Sequence, residues 1–131
     1  MLLHEELTKQ ILAAFYEVYN ELGYGFSECV YQNSLYFELQ DRGYDVVAQQ
    51  QCTVHYKKRN IGDYFTDLTV NNLVILELKA CETIVEGHKT QLRNYLRATT
   101  LEVGLVLNFG PEPQFSRRIF TNDKKKLPKK E

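Results

Sequence analysis

The sequence predicts a single α/β (α+β) domain in which a mixed central sheet, containing a β-meander, is flanked by helices. Three observations predict it. Two amphipathic helical repeats open the chain, a succession of Val-, Thr- and Tyr-rich runs punctuated by turn residues follows, and one more helical segment separates these runs from a last apolar strand. A length of 131 residues, 44% hydrophobic and 25% charged, suits one soluble domain with one core.

The first helix is expected over residues 4 to 22, where Leu7, Ile11, Ala14, Phe15, Val18 and Leu22 recur at helical spacing until Gly23 and Gly25 stop it. Ser27 suits the N-cap of a second helix running to about Gln40, with Val30, Tyr31, Ser34, Leu35, Phe37 and Leu39 as its apolar side and Gly43 closing it. Val46 to Lys57 reads as a strand. A turn at Lys58-Arg59-Asn60 makes it the hairpin partner of a strand from Ile61 to Val70, and Leu73 to Lys79 is the next strand. A helix from about His88 to Ala98, a strand from Leu101 to Phe109 and an edge strand from Phe115 to Phe120 complete the order. The domain is expected to span residues 1–120, with 121–131 a basic, flexible tail around Lys124-Lys125-Lys126-Leu127-Pro128-Lys129-Lys130.

Composition excludes several classes. A net charge of −1 means that contact with nucleic acid cannot rest on overall basicity and requires a local patch. His4-Glu5-Glu6 interrupts the N-terminal Leu2-Leu3, and no apolar run reaches membrane-spanning length, so a cytoplasmic protein with no membrane partner is expected. Cys29, Cys52 and Cys81 are odd in number and far apart, which suits reduced, mostly buried thiols, with Cys81 the one nearest the charged strand end.

The chemistry concentrates where the run Leu73-Val74-Ile75-Leu76 ends in Glu77-Leu78-Lys79. On a strand Leu73, Ile75, Glu77 and Lys79 share one face, while Val74, Leu76 and Leu78 share the other. Buried charges are costly unless paired, hydrogen-bonded or committed to a metal. Asp67 and Glu77 can supply the one or two carboxylates that Mg²⁺, or Mn²⁺, takes alongside water and phosphate, with the Leu78 carbonyl as a further ligand and Lys79 serving the attacking water or the phosphate. The structural alternative is a Glu77–Lys79 ion pair. Glu28, in the first turn of the second helix, is a candidate third acid, for metal or catalysis, although an acid there also favours the helix dipole. Gln91 and Tyr95 lie four apart with His88 three before, on one helical face, and suit positioning of a phosphate or base. Leu92 and Leu96 should pack inward.

A shared metal also constrains register. A two-residue loop at Asn71-Asn72 would set Asp67 opposite Leu76 and put the two acids on opposite faces. The connection must therefore be odd, as with Asn71-Asn72-Leu73 and Val70 opposite Val74, or contain a bulge. Asn tolerates the left-handed conformation that such a turn needs.

Gly25-Phe26-Ser27-Glu28-Cys29-Val30-Tyr31 resembles the signature of the GxxExxY family, and Glu77-Leu78-Lys79-Ala80, His88-x-x-Gln91, Asn94-Tyr95-Leu96 and Asn108-Phe109-Gly110 resemble its other marks. The resemblance runs from about Leu7 to Arg118. It implies the PD-(D/E)xK nuclease-like superfamily and a restriction-endonuclease-like core. Asp67 then matches the first acid, Glu77 and Lys79 the (D/E)xK, and Glu28 the helix-borne acid of several branches. Gln91-Leu92-Arg93-Asn94-Tyr95 resembles the QxxxY motif of RecB-like exonucleases, and Thr66 stands where the superfamily name has Pro. The implied activity is Mg²⁺-dependent phosphodiester hydrolysis, with DNA as expected substrate and partner. The alternative is a catalytically silent copy of the fold that acts as a nucleic-acid-binding or protein-interaction module.

Overall fold

The computed structural model describes residues 2–126. Helix α1 spans Glu5–Leu22 and α2 spans Glu28–Asp41. Seven strands follow, interrupted once: β1 Val46–Ala48, β2 Gln51–Tyr56, β3 Arg59–Phe65, β4 Leu68–Val70, β5 Val74–Lys79, then helix α3 Glu86–Ala98, then β6 Val103–Phe109 and β7 Pro113–Ile119. The five-stranded sheet has the order β1-β4-β5-β6-β7, with β5 and β6 parallel across α3 and the other neighbours antiparallel. A parallel pair needs a crossover, and α3 is that crossover. The expected α+β architecture is thus present.

Alternation along β5 divides the core between the two sheet faces. Val74, Leu76 and Leu78 join Leu105, Leu107 and Phe109 beneath Ile11, Phe15, Val18, Tyr31 and Leu35 of α1 and α2. Ile75 and Val106 face Leu92 and Leu96 of α3 in a second, smaller cluster. Phe109 is the keystone of the larger one, with its ring edge-on to Phe15 at 4.8 Å and stacked on Tyr31 at 4.3 Å.

Two expected elements need correction. The strand expected from Ile61 to Val70 is two strands, and Val46 to Lys57 is likewise two, because the ribbon creases at Gln49-Gln50 and Thr66-Asp67. The register Val46↔Val70 continues unchanged into Gln51↔Phe65, and the crease keeps the backbone bonds Gln49 N–H to Asp67 O and Thr66 N–H to Gln50 O. One hairpin therefore begins in the sheet and leaves it as a two-stranded arm. Thr66 is fully buried, and a Pro there would delete the donor to Gln50. The hairpin turn lies at Lys57-Lys58, not Lys58–Asn60, with φ of 48° and 68° and Tyr56 paired to Arg59. Both values belong to the left-handed pair of a two-residue turn.

On α2 only Tyr31, Leu35 and Leu39 are buried, and Phe37, expected in the apolar side, is 60% exposed. Beyond β7 the chain does not leave as a free tail at residue 121. A short 3₁₀ turn at Asn122–Lys124 follows, and the Lys125 ammonium donates to the Thr99 and Leu101 carbonyls at 2.8 and 2.7 Å. The rest of the expected tail, residues 127–131, lies outside the described residues.

Candidate active site

The β4–β5 connection is the odd turn that a shared site requires. Val70 pairs with Val74 and Leu68 with Leu76, leaving Asn71-Asn72-Leu73 between them, and both Asn residues are left-handed at φ 52° and 51°. The Asn71 backbone N–H and side-chain oxygen bond the Asp45 carbonyl and N–H, which fixes the turn to the start of β1. One step further along that register Asp67 opposes Glu77 on one face. The ladder stops at Leu68–Leu76, and Asp67 Oδ2 takes the next strand donor, the Leu78 N–H, at 2.7 Å.

Glu77 is 7% exposed, and its Oε1 is buried without a hydrogen-bond partner. Burial, and next the negative charge of Asp67, push its carboxyl up to about 8 against the opposing pull of Lys79. Among the described residues the ion pairs are Arg42–Glu38 and Lys89–Glu86, so Glu77 and Lys79 do not form the structural pair. A buried carboxylate with an unpartnered oxygen beside a second acid is compatible with Mg²⁺ or Mn²⁺ in charge and ligand type.

Helix α3 closes this face. Leu92 and Leu96 are fully buried, as expected, and the Tyr95 hydroxyl is held by Gln91 Nε2 at 2.7 Å. Desolvation and then the Glu77 charge raise the Tyr95 pKa. His88 takes a capping role: its Nδ1 accepts the Val85 N–H at 3.3 Å. Burial and then the Lys79 charge lower its pKa, while Glu28 acts in the opposite sense. Glu28 itself is exposed on the first turn of α2. Among the described residues no three His, Cys, Asp or Glu side chains are gathered to hold one ion. Of the three acids expected, Asp67 and Glu77 oppose one another across the β4–β5 turn, while Glu28 lies exposed on the first turn of α2.

The segment that presents Glu28 is built by its neighbours. Gly25 has φ 118°, which an L side chain rarely adopts, and the buried Tyr31 hydroxyl donates to the Gly23 carbonyl while accepting the Phe26 N–H. Behind Lys79 the loop is clamped from β6. Asn108, fully buried and paired with Lys79, accepts the Cys81 N–H and donates to the Cys81 carbonyl, each at 3.0 Å. A Cβ on Gly110 would lie 2.3 Å from that same carbonyl oxygen, so only glycine lets the two backbones approach.

Sequence reasoning missed Tyr64 and Cys52. Tyr64 on β3 stacks on Tyr95 at 3.8 Å with the rings 9° apart and donates its hydroxyl to the Tyr95 carbonyl at 2.9 Å. Burial and then the neighbouring Cys52 raise the Tyr64 pKa, and Glu77 contributes in the same sense. Cys52 is half-buried beside Tyr64, and Cys81 donates to the Thr83 carbonyl. All three cysteines are free, and, contrary to expectation, none is fully buried. The crease that carries Tyr64 and Cys52 to α3 has no mark in the alternation of either strand.

None of the curated proteins matches the chain. Among solved structures it is similar to the crystal structure of SSO0001, with a TM-score of 0.56 and 16% identity over 92% of this chain and 61% of that one. That likeness concerns the fold, and this chain spans about 61% of the length of the solved protein. The family described as the PD-(D/E)XK nuclease superfamily matches residues 5–119, which include the acids of β4–β5, Lys79 and the α3 face. With that match over most of its length, and with a mixed sheet that sets Asp67 against Glu77-x-Lys79, the chain belongs to the PD-(D/E)XK nuclease superfamily.

Proposed function

We propose that the protein is a divalent-metal-dependent nuclease acting on DNA, and that it belongs to the GxxExxY branch that its glycine–glutamate–tyrosine segment resembles. The observation that carries this reading is the Glu77 carboxyl, buried and unpartnered at Oε1 beside Asp67. Nucleases of the superfamily generally depend on a divalent metal. Asp67 and Glu77 would hold it. A cation held there would supply Lewis acidity to water and to the phosphate.

The remaining roles follow from the chain's own groups. Leu78 N–H fixes the Asp67 carboxylate, so one acid is oriented before any ligand arrives. Lys79 shares the Glu77 face and carries a positive charge to where the attacking water and the phosphoryl oxygens meet. Gln91 and Tyr95, joined to each other and backed by Tyr64, steer the substrate strand in the manner of the QxxxY motif that they resemble. His88 and Glu28 act at the rim.

Purified protein given Mg²⁺ or Mn²⁺ should cut linear, supercoiled or single-stranded DNA, and EDTA should stop it. Lys79→Ala should lose most of the activity. Equal cutting by wild type and Lys79→Ala would assign the activity to a contaminant and end the proposal.

A further inference from the structure

Helix α3 serves a second concavity. Past Tyr95, its residues Asn94, Arg97 and Ala98 line a cavity of about 1040 Å³ between the tip of the β2–β3 arm and the C-terminal turn. Lys57 and Lys58 reach it from the arm, Arg97 from the helix, and Lys124 and Lys126 from the turn, and no carboxylate is among its lining residues. In a chain of net charge −1 this is a local concentration of positive charge. None of these cations is in an ion pair among the described residues.

Further features set this groove apart from a solvated lysine face. Lys57 and Lys58 occupy left-handed positions that Asn-Gly fills at less cost, so the turn holds two cations against its conformational preference. Tyr56, 55% exposed, lies within the groove with the Lys57 ammonium 5.3 Å from its ring centroid, an aromatic surface of the kind bases stack upon. Lys125 is spent on the Thr99 and Leu101 carbonyls and thereby anchors Lys124 and Lys126 on the wall. The groove and the acid pair share their supports. At the root of the arm Tyr64 stacks on Tyr95 beside Glu77, and at its tip are the lysines.

We propose that this groove tracks the phosphodiester backbone of a nucleic-acid strand whose reacting phosphate lies at Asp67 and Glu77; this rests on the nuclease reading of that pair. Lys58 lies six positions before Tyr64 along the arm, a reach of about 20 Å, or roughly six base-pair steps. The groove thus accounts for how a chain of net charge −1 retains a polyanion.

The test is binding without cleavage. Labelled 20-mer DNA, single-stranded and duplex, and RNA of the same sequence are titrated with protein in EDTA across a salt series. Lys57→Asn/Lys58→Gly should weaken binding about tenfold or more at low salt and lower the slope of log affinity against log salt by nearly two, as should Lys124→Ser/Lys126→Ser. Because the first pair suits its turn, its urea midpoint should hold or rise, which separates lost contacts from lost folding. DNA and RNA should respond alike, and duplexes under about six base pairs should not distinguish the variants. Unchanged affinity and slope in both variants would overturn the proposal, as would tighter binding to polyglutamate than to either nucleic acid. Groove-dependent binding by a protein that cuts nothing would retain the groove and discard the nuclease; cutting with groove-independent binding would do the reverse.

Discussion

The two faces of the central sheet are built from the same strands yet are opposites in content. Under α1 and α2 every inward residue of β5 and of β6 is aliphatic or aromatic, and the Tyr31 hydroxyl bonds both ways. Under α3 the apolar cluster is small, and the same strands end in Glu77 and Asn108, both buried, with Glu77 left an oxygen short of a partner. Burial of apolar area stabilises the first face. The second holds Glu77 where burial and the charge of Asp67 disfavour its ionised form. A fold of one small core can thus hold a strained site, because the strain is confined to one side of a sheet whose other side is fully packed.

The most severe way to break this comparison is on the packed face. Tyr31→Ala removes the ring stacked on Phe109 and should cost about 3–5 kcal/mol in urea unfolding. A cost under about 1 kcal/mol would mean that the face is not what holds the domain together. On the other face Lys79→Ala should cut nuclease turnover by about 10²–10⁴-fold while changing stability by less than about 1 kcal/mol, measured by single-turnover cleavage and denaturation on one preparation.

Titration sharpens the contrast. The Glu77 carboxyl is held up at about 8 in the folded protein against an ordinary value of 4.5. A raised acid contributes stability that is complete below its unfolded value and is lost as pH rises through the folded one. Metal-free protein should therefore weaken between about pH 4.5 and 8, by an amount on the order of a few kcal/mol, and Glu77→Gln should flatten that slope. Mg²⁺ should restore the loss at pH 8, by about 2.7 kcal/mol at one hundred times its dissociation constant. A pH-independent urea midpoint in EDTA would refute the burial argument. The smallest effect is expected of Asp67→Asn, which can still accept the Leu78 N–H and no longer repels Glu77. Stability should hold or rise by about 1 kcal/mol or less, while calorimetric Mn²⁺ binding disappears. Marked destabilisation with unaltered Mn²⁺ affinity would make Asp67 a structural hydrogen-bonding residue.

Much of the site was legible because strand parity is rigid. The demand that Asp67 and Glu77 share a face selects an odd turn, and Asn71 and Asn72 are residues that can make one. The inward packing of Leu92 and Leu96 followed from helical spacing in the same way. Parity says nothing of where a ribbon bends, however. The crease at Thr66-Asp67 leaves the pairing register intact, so the alternation of either strand carries no trace of it, and with it Tyr64 and Cys52 were lost from view. Phe37 failed for another reason: on a short helix over one sheet face, the i, i+4, i+8 row of Tyr31, Leu35 and Leu39 suffices, and a wider stripe has nothing to cover. The basic groove draws on three segments far apart in the chain, and only folding gathers them.

The bridging hydroxyl of Tyr31 bears on how the segment from Gly25 to Tyr31 is to be weighed as information. Gly25 is required by a backbone angle and Tyr31 by a ring stack and a loop tie, and a chain that had lost all chemistry would still need both. Glu28, exposed like Gly25, has no folding task visible beyond the first turn of its helix. Loss of the proposed nuclease activity would therefore leave Gly25 and Tyr31 under the same structural demand, and Glu28 under none beyond its helix turn.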